Sequence, residues 1–249
     1  MNSESGLEIS VVVPVLDEAE NIVPLADEIY AALAGGPEFE IVYVDDGSSD
    51  ESFEVLSELA STRPNFRAVR HASRAGQSAA ILSGVRAAEA PLIATLDGDG
   101  QNDPADIPRL ISAFMPARSG THPLVTGVRR KRQDNLFKRL CSRIANTMRR
   151  TLLRDGTPDT GCSLKLFSRR VFLSLPYFDH MHRFLPALFK GLGSEIVLVD
   201  VNHRPRRTGI SKYGLGNRLG AGIIDLAGVL WLLKRGNRPV IEPEEHDND

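Results

Sequence analysis

With 249 residues, of which 42% are hydrophobic, the chain has the length of one generous α/β domain or two small ones and enough apolar material for a sizeable core. Its two cysteines, Cys141 and Cys162, show no CxxC spacing, which excludes a disulfide framework and a thiolate zinc site and leaves them as small buried hydrophobes. The net charge of −2 conceals a division: residues 1–128 hold 7 Arg and no Lys against 20 acids, a balance of −13, whereas residues 129–249 hold 23 basic residues against 12 acids, a balance of +11, so the halves are expected to meet different partners.

The opening MNSESGLEIS has no apolar block and fits neither a secretory signal nor a transit peptide, so residence in the cytosol is expected. EISVVVPV, EIVYVDD, FRAVR and PLIATLD are short runs rich in β-branched residues and read as strands. Between them, Ile22, Leu25, Ala26, Ile29, Ala32 and Leu33 recur at helical spacing from Asp17 to Ala34. A second helix is predicted after Ser49 as its N-cap, and a third over Gln77 to Ala88. Such alternation implies right-handed crossovers and a mostly parallel sheet flanked by helices, an α/β fold. The first, second and fourth strands run into Asp17–Glu18, Asp45–Asp46 and Asp97–Asp99, and ligands of open α/β sheets bind at the carboxyl ends of strands, so these acids should converge on one crevice.

After a further strand, PLVTGV, the character changes. Asn135 to Leu153 places Leu136, Leu140, Ile144, Met148 and Leu152 on one face of a basic amphipathic helix. PDTGCSLKLF follows, then a helix through RFLPALFKGL, a strand EIVLVDV and the basic loop HRPRRTGISKYG. The apolar run Leu219 to Leu233 has 15 residues and contains Asp225, short of the ~20 needed to span a bilayer. It reads as a core helix or as an interfacial one, with Trp231, Arg218, Lys234, Arg235 and Arg238 near headgroups. The organisation expected is 1–128 and 129–218 as two halves of one domain, an apolar or interfacial helix over 219–238, and a disordered acidic tail over 239–249.

Asp97-x-Asp99 in LDGDGQNDP is a pair of hard oxygen ligands suited to Mg²⁺ or Mn²⁺ bound together with substrate phosphates. An EF-hand starting at Asp97 fails, because its sixth and twelfth positions are Asn102 and Pro108 rather than Gly and Glu. A phosphatase with an aspartyl nucleophile and a plain Asp-Gly turn are the chemical and structural rivals. No GxxxxGK[ST] or GxGxxG occurs, so the familiar phosphate cradles are absent. Asp50 reads as a first-turn acid of the second helix, and Asp103, before Pro104, as the start of the next.

In this order and spacing EISVVVPVLDEAEN, VYVDDGSSD and LDGDGQNDP resemble the nucleotide-sugar half of the GT-A fold in glycosyltransferase family 2. Downstream, TGVRR, the helix carrying Lys138 and Ser142, DTGCSLKLF and the R-x-x-G-x-S-K of Arg206 to Lys212 resemble the polyprenyl-phosphate branch typified by dolichyl-phosphate mannose synthase. The resemblance implies that Pro14, Glu18, Val44 and Asp46 frame the base and ribose of a nucleotide sugar, and that Asp97, Asp99 and Gln101 hold a divalent metal and the diphosphate. It implies also that Arg129, Lys138, Ser142, Arg206 and Lys212 grip a lipid phosphate, with Asp99 and Arg129 the residues nearest the chemistry. Leu16 and Asp17 stand where the mannose synthases have Tyr and Asn, which leaves guanine and uracil both open as the base.

The expected activity is inverting transfer of a hexose, mannose first, from a GDP- or UDP-sugar to a dolichyl or undecaprenyl phosphate, by a peripheral enzyme on the cytosolic membrane face or on an integral membrane partner. A second phosphate pKa near 6 makes the acceptor oxygen anionic without a strong general base. Transfer to a glycan or another lipid, and a non-catalytic nucleotide-sugar or membrane-binding module, are the alternatives. Nucleic acid is not an expected partner, because aromatic residues are 6% of the chain and are not interleaved with the basic run.

Overall fold

A computed structural model of the chain describes residues 6–115, 122–129, 152–153, 155–205 and 217–236. Its centre is β1 (Ile9–Val15), ISVVVPV, whose side chains are buried in alternation against opposite layers of helices. Val11 and Val13 join one core with Ile22, Leu25 and Ile29 of α1 (Ala19–Leu33), while Val12 joins the other with Ile81 and Val85 of α3 (Gln77–Ala87). A strand apolar on both faces is what a covered, parallel sheet requires.

Strands β2 (Phe39–Asp45), β3 (Phe66–Arg70), β4 (Leu92–Thr95), β5 (Leu124–Arg129), β6 (Lys165–Ser168) and β7 (Ile196–Val201) complete a seven-stranded sheet of order β3-β2-β1-β4-β6-β5-β7. β1 pairs in parallel with β2 and β4, β2 with β3, and β5 with β7. β6 runs antiparallel between β4 and β5, with Lys165 opposite both Thr95 and Thr126. The prediction of a mostly parallel, helix-flanked sheet therefore holds, and β6 is the exception that alternation does not reveal.

α2 (Ser52–Thr62) and α4 (Ile107–Phe114) add Leu56, Leu59, Ile107 and Leu110 to the first core. The second core takes Phe172 from α5 (Arg169–Leu173) and Leu185, Leu188 and Phe189 from α6 (Leu185–Gly191). α7 (Asn217–Arg235) packs Val229, Leu230 and Leu233 onto that core and leaves Ile224 73% and Trp231 62% exposed on the opposite side. The apolar run is thus core on one face and solvent-facing on the other. Among the described residues no helix is long and apolar enough to cross a membrane.

One local expectation is corrected and another holds. Ser49 does not cap α2; Asp50 accepts the Ser52 N–H through Oδ1 and the Ala19 N–H through Oδ2, so its carboxylate serves the starts of two helices. Ser49 turns instead to Asp17, donating to its Oδ1 through both backbone N–H and hydroxyl. Asp17 has φ 49, a left-handed conformation that a short polar side chain tolerates better than most. Asp103 does start the next element, accepting the Ala105 N–H ahead of a 3-10 turn at Pro104–Asp106.

Candidate active site

The loops at the carboxyl ends of β1, β2 and β4 are laced into one rim. Ser48 Oγ accepts the Asp17 N–H and Ser52 Oγ accepts the Glu18 N–H, tying the β1 loop to the β2 loop. Asp46, 4% exposed, takes hydrogen bonds from the Ala75 and Gly76 N–H groups at 2.8 Å each and pairs with His71 Nδ1 at 2.8 Å. Its carboxylate thus fixes the turn that opens α3. Gln77, first residue of α3, donates its side-chain amide to Asp97 Oδ1 at 2.7 Å. The predicted convergence of the three acidic clusters is a hydrogen-bonded fact.

Asp97 is held from the other side by the Ser163 hydroxyl, 2.6 Å from Oδ2. Burial and the neighbouring Asp99 charge raise its carboxyl pKa, against the Ser163 hydrogen bond and the Lys165 and Arg129 charges. The Asp-Gly-Asp turn lies against β1 so closely that a Cβ on Gly98 would stand 2.5 Å from Val15 Cγ1 and 3.0 Å from the Pro14 carbonyl oxygen. Asp99, 8% exposed, accepts the Gln101 N–H at 3.1 Å, which closes the turn after the pair. Two carboxylates at one turn, with Asp99 helping to raise the Asp97 pKa, are hard oxygen donors of the kind that suits a divalent ion shared with phosphate oxygens and water. Among the described residues no group of three or more His, Cys, Asp or Glu forms a metal cage.

Pro14 and Glu18 border the rim half-buried, and Glu18 Oε2 accepts the Asn21 side-chain amide at 2.6 Å. Val44 does not: it is 0% exposed in the second core, where its Cγ2 would lie 3.0 Å from a Cβ on Gly84. Its position in β2 directs it to α3, and the expected role for its side chain in framing the base is corrected. Arg129 is engaged as well, its Nε and Nη2 donating to Asp159 at 2.6 and 2.7 Å in a two-pronged pair. Burial opposes the charged guanidinium, but Asp159 more than offsets it and keeps the arginine pKa above its usual value. Lys138, Ser142, Arg206 and Lys212, and nearly all of the basic helix, lie outside the described residues.

Sequence reasoning missed Gln77 and Ser163, the two clamps on Asp97. The motif DTGCSLKLF contains Asp159 and Lys165, expected to shape the sugar or acceptor site. Lys165, 3% exposed, donates to the Cys162 carbonyl and stitches the 159–163 loop beneath Asp97, its pKa lowered by burial. Beyond β7, Arg204 donates to Glu28 at 2.6 Å and to Asp103 at 2.5 Å, and its N–H bonds the Gln101 carbonyl, so the root of the second basic loop is fastened to the Asp97–Asp103 segment. Cys162 is fully buried and its thiol pKa is raised by burial, which rules out a thiolate nucleophile there.

His182 is a half-buried neutral imidazole. Burial first, then the charges of Arg183, Lys165 and His180, push its pKa down to about 3. An unfolded histidine titrates near ~6.5. As pH falls from ~6.5 towards ~3, the unfolded chain binds a proton that the folded one refuses, so stability is expected to drop, by at most about 2 kcal/mol between pH 6.5 and 5. Urea melts of wild type and His182→Gln at the two pH values check this, and an equal loss in both proteins refutes it.

The model of Glycosyl transferase family 2 matches residues 10–175. A dodecaprenyl-phosphate galacturonate synthase of Rhizobium johnstonii is 34% identical over 239 residues, covering 94% of this chain and 70% of its own. An undecaprenyl-phosphate 4-deoxy-4-formamido-L-arabinose transferase of Pectobacterium carotovorum is 37% identical over 207 residues, covering 82% of this chain and 62% of its own. The chain therefore spans only 62% to 70% of the length of these relatives. Glucosyl-3-phosphoglycerate synthase of Mycobacterium tuberculosis, solved with Mn²⁺, UDP and glucosyl-3-phosphoglycerate, superposes with a TM-score of 0.69 over 93% of this chain and 81% of its own, at 21% identity. That likeness is one of fold. Matched along most of its length by the family model and along nearly all of it by a relative one-third identical, the chain belongs to glycosyltransferase family 2 and has its GT-A fold.

Proposed function

We propose that the chain moves a sugar from a nucleotide diphosphate sugar to a polyprenyl phosphate, with inversion at the anomeric carbon, on the cytosolic face of a membrane. The observation carrying this is the Asp97–Asp99 turn, clamped by Gln77 at the start of α3 and by Ser163 from the loop that also holds Asp159, the partner of Arg129. Mg²⁺ or Mn²⁺ bound by Asp97 and Asp99, with Gln101 beside them, would neutralise charge on the departing nucleoside diphosphate. Pro14, Glu18 and the loop fixed by Asp46 would seat the nucleoside. Arg129, Lys138, Ser142, Arg206 and Lys212 would hold the acceptor phosphate, already anionic at neutral pH, in line with the anomeric carbon. The exposed Ile224 and Trp231, with Lys234 and Arg235 in the last turn of α7, suit a lipid headgroup region.

The names of the relatives favour an acidic or amino-modified sugar over the mannose first expected, since they specify galacturonate and 4-deoxy-4-formamido-L-arabinose. GDP-mannose, UDP-glucose, UDP-galacturonate and UDP-4-deoxy-4-formamido-L-arabinose offered with undecaprenyl phosphate and Mg²⁺ or Mn²⁺ test the reading, with mass spectrometry of the lipid fraction. One glycolipid product, lost on adding EDTA, is expected. Sugar found only on a glycan would redirect the acceptor assignment, and nucleotide binding without turnover on any acceptor would return the chain to a binding role.

A further inference from the structure

His182 has a geometry that the transfer reading does not use. It lies in the 3-10 turn Met181–Arg183, which is fixed from three sides. Met181 is 2% exposed, the preceding His180 sits at φ 62, and His180 Nδ1 pairs with Asp225 of α7 at 3.0 Å. His182 Nδ1 lies 2.7 Å from the hydroxyl of Ser78, which is 1% exposed, and the His182 backbone N–H reaches the same oxygen at 3.3 Å. Among the described residues Nδ1 is the only acceptor within reach of that hydroxyl, so the Ser78 proton points at Nδ1 and the ring proton resides on Nε2.

Ser78 is no remote anchor. It follows Gln77, which holds Asp97, and Gly76, whose N–H holds Asp46, so the start of α3 ties His182 to the segment that holds both acids. Nε2 has no hydrogen-bond partner among the described residues, and Arg183 and Lys165 make the surroundings electropositive. An oriented N–H without a protein acceptor, in such a field, is matched by an electron-rich oxygen.

We propose that His182, oriented by Ser78, donates its Nε2–H to an oxygen of the bound donor, on the diphosphate or on the sugar beside it, and so helps select and align the nucleotide sugar. This rests on the transfer reading for its ligand. His182 touches the donor and is neutral throughout; Ser78 is a positioning residue that acts through it.

The test compares His182→Ala, His182→Gln and Ser78→Ala with wild type in steady-state kinetics, in titration with UDP and with the intact nucleotide sugar, and in thermal melts. His182→Ala is expected to lower kcat/KM for the donor at least about tenfold. Gln, which keeps a neutral N–H, should restore most of it, and Ser78→Ala should fall between the two with the melting temperature little changed. Weaker UDP binding in His182→Ala places the contact on the diphosphate; weaker binding of the nucleotide sugar alone places it on the sugar. Unchanged kinetics in His182→Ala overturn the proposal, as does Gln failing as badly as Ala while melting like wild type. Should His182→Ala not fold, wild-type kinetics in Ser78→Ala overturn it. If wild type turns over no donor, the transfer reading falls, while the titrations still decide whether His182 contacts a nucleotide sugar.

Discussion

Replacing Asp99 by alanine is expected to lower sugar transfer about 100- to 1000-fold while leaving the fold intact. The carboxylate accepts the Gln101 N–H at 3.1 Å, and its charge works against Asp97 a turn away. Removing it relieves that repulsion, so the Asp97 pKa should fall and the melting temperature should hold or rise slightly. Function responds oppositely, because the repulsion between the two carboxylates is what a divalent ion relieves. Nucleotide-sugar titrations with and without EDTA supply the second readout: wild type should lose affinity on chelation and Asp99→Ala should be indifferent to it. A variant that retains more than about a tenth of wild-type turnover with unaltered EDTA sensitivity would remove the metal from this turn.

The second large effect concerns stability. Asp159→Ala strips the two-pronged partner from Arg129, whose side chain is 13% exposed, and leaves a mostly buried charge unmatched. The cost is expected to be about 3 kcal/mol, the low end for breaking a buried pair, since some water still reaches the guanidinium. The double variant Arg129→Met, Asp159→Leu should regain much of that loss while remaining inactive, because two apolar side chains carry no desolvation penalty. Urea denaturation of the two single variants and the double one closes the cycle. Additive losses would show that the pair is not coupled and that the loop at Gly161, where a Cβ would lie 3.3 Å from Arg129 Nη2, is held by something else.

What the residues announced on their own was local. α3 appears within one residue of its predicted end, α1 begins two residues after the predicted start, and the β-branched runs became β1 to β4, because hydrophobic period is a property of the chain itself. Acids at the ends of three strands were legible for the same reason, and topology alone required them to meet. Val44 shows where that reading stops: a strand buried on both faces does not announce which side chains look into the crevice and which into the core.

Contacts between distant segments were not legible. Ser163 reaches Asp97 across 66 residues and Ser78 reaches His182 across 104, and neither pairing leaves a mark in local composition or periodicity. The sequence offers Arg129 as one of five residues for a phosphate, and only the fold sets Asp159 2.6 Å from its Nε. β6, antiparallel between β4 and β5, lies in a segment that the sequence did not mark as a strand. The sequence by itself determined most of the elements, the charge division and the Asp97–Asp99 pair, all set by neighbours a few residues apart. Only the tertiary structure decided which carboxylates are clamped, which cation is already paired and which imidazole still has a proton to offer, because hydrogen bonds form between atoms adjacent in space whatever their distance along the chain.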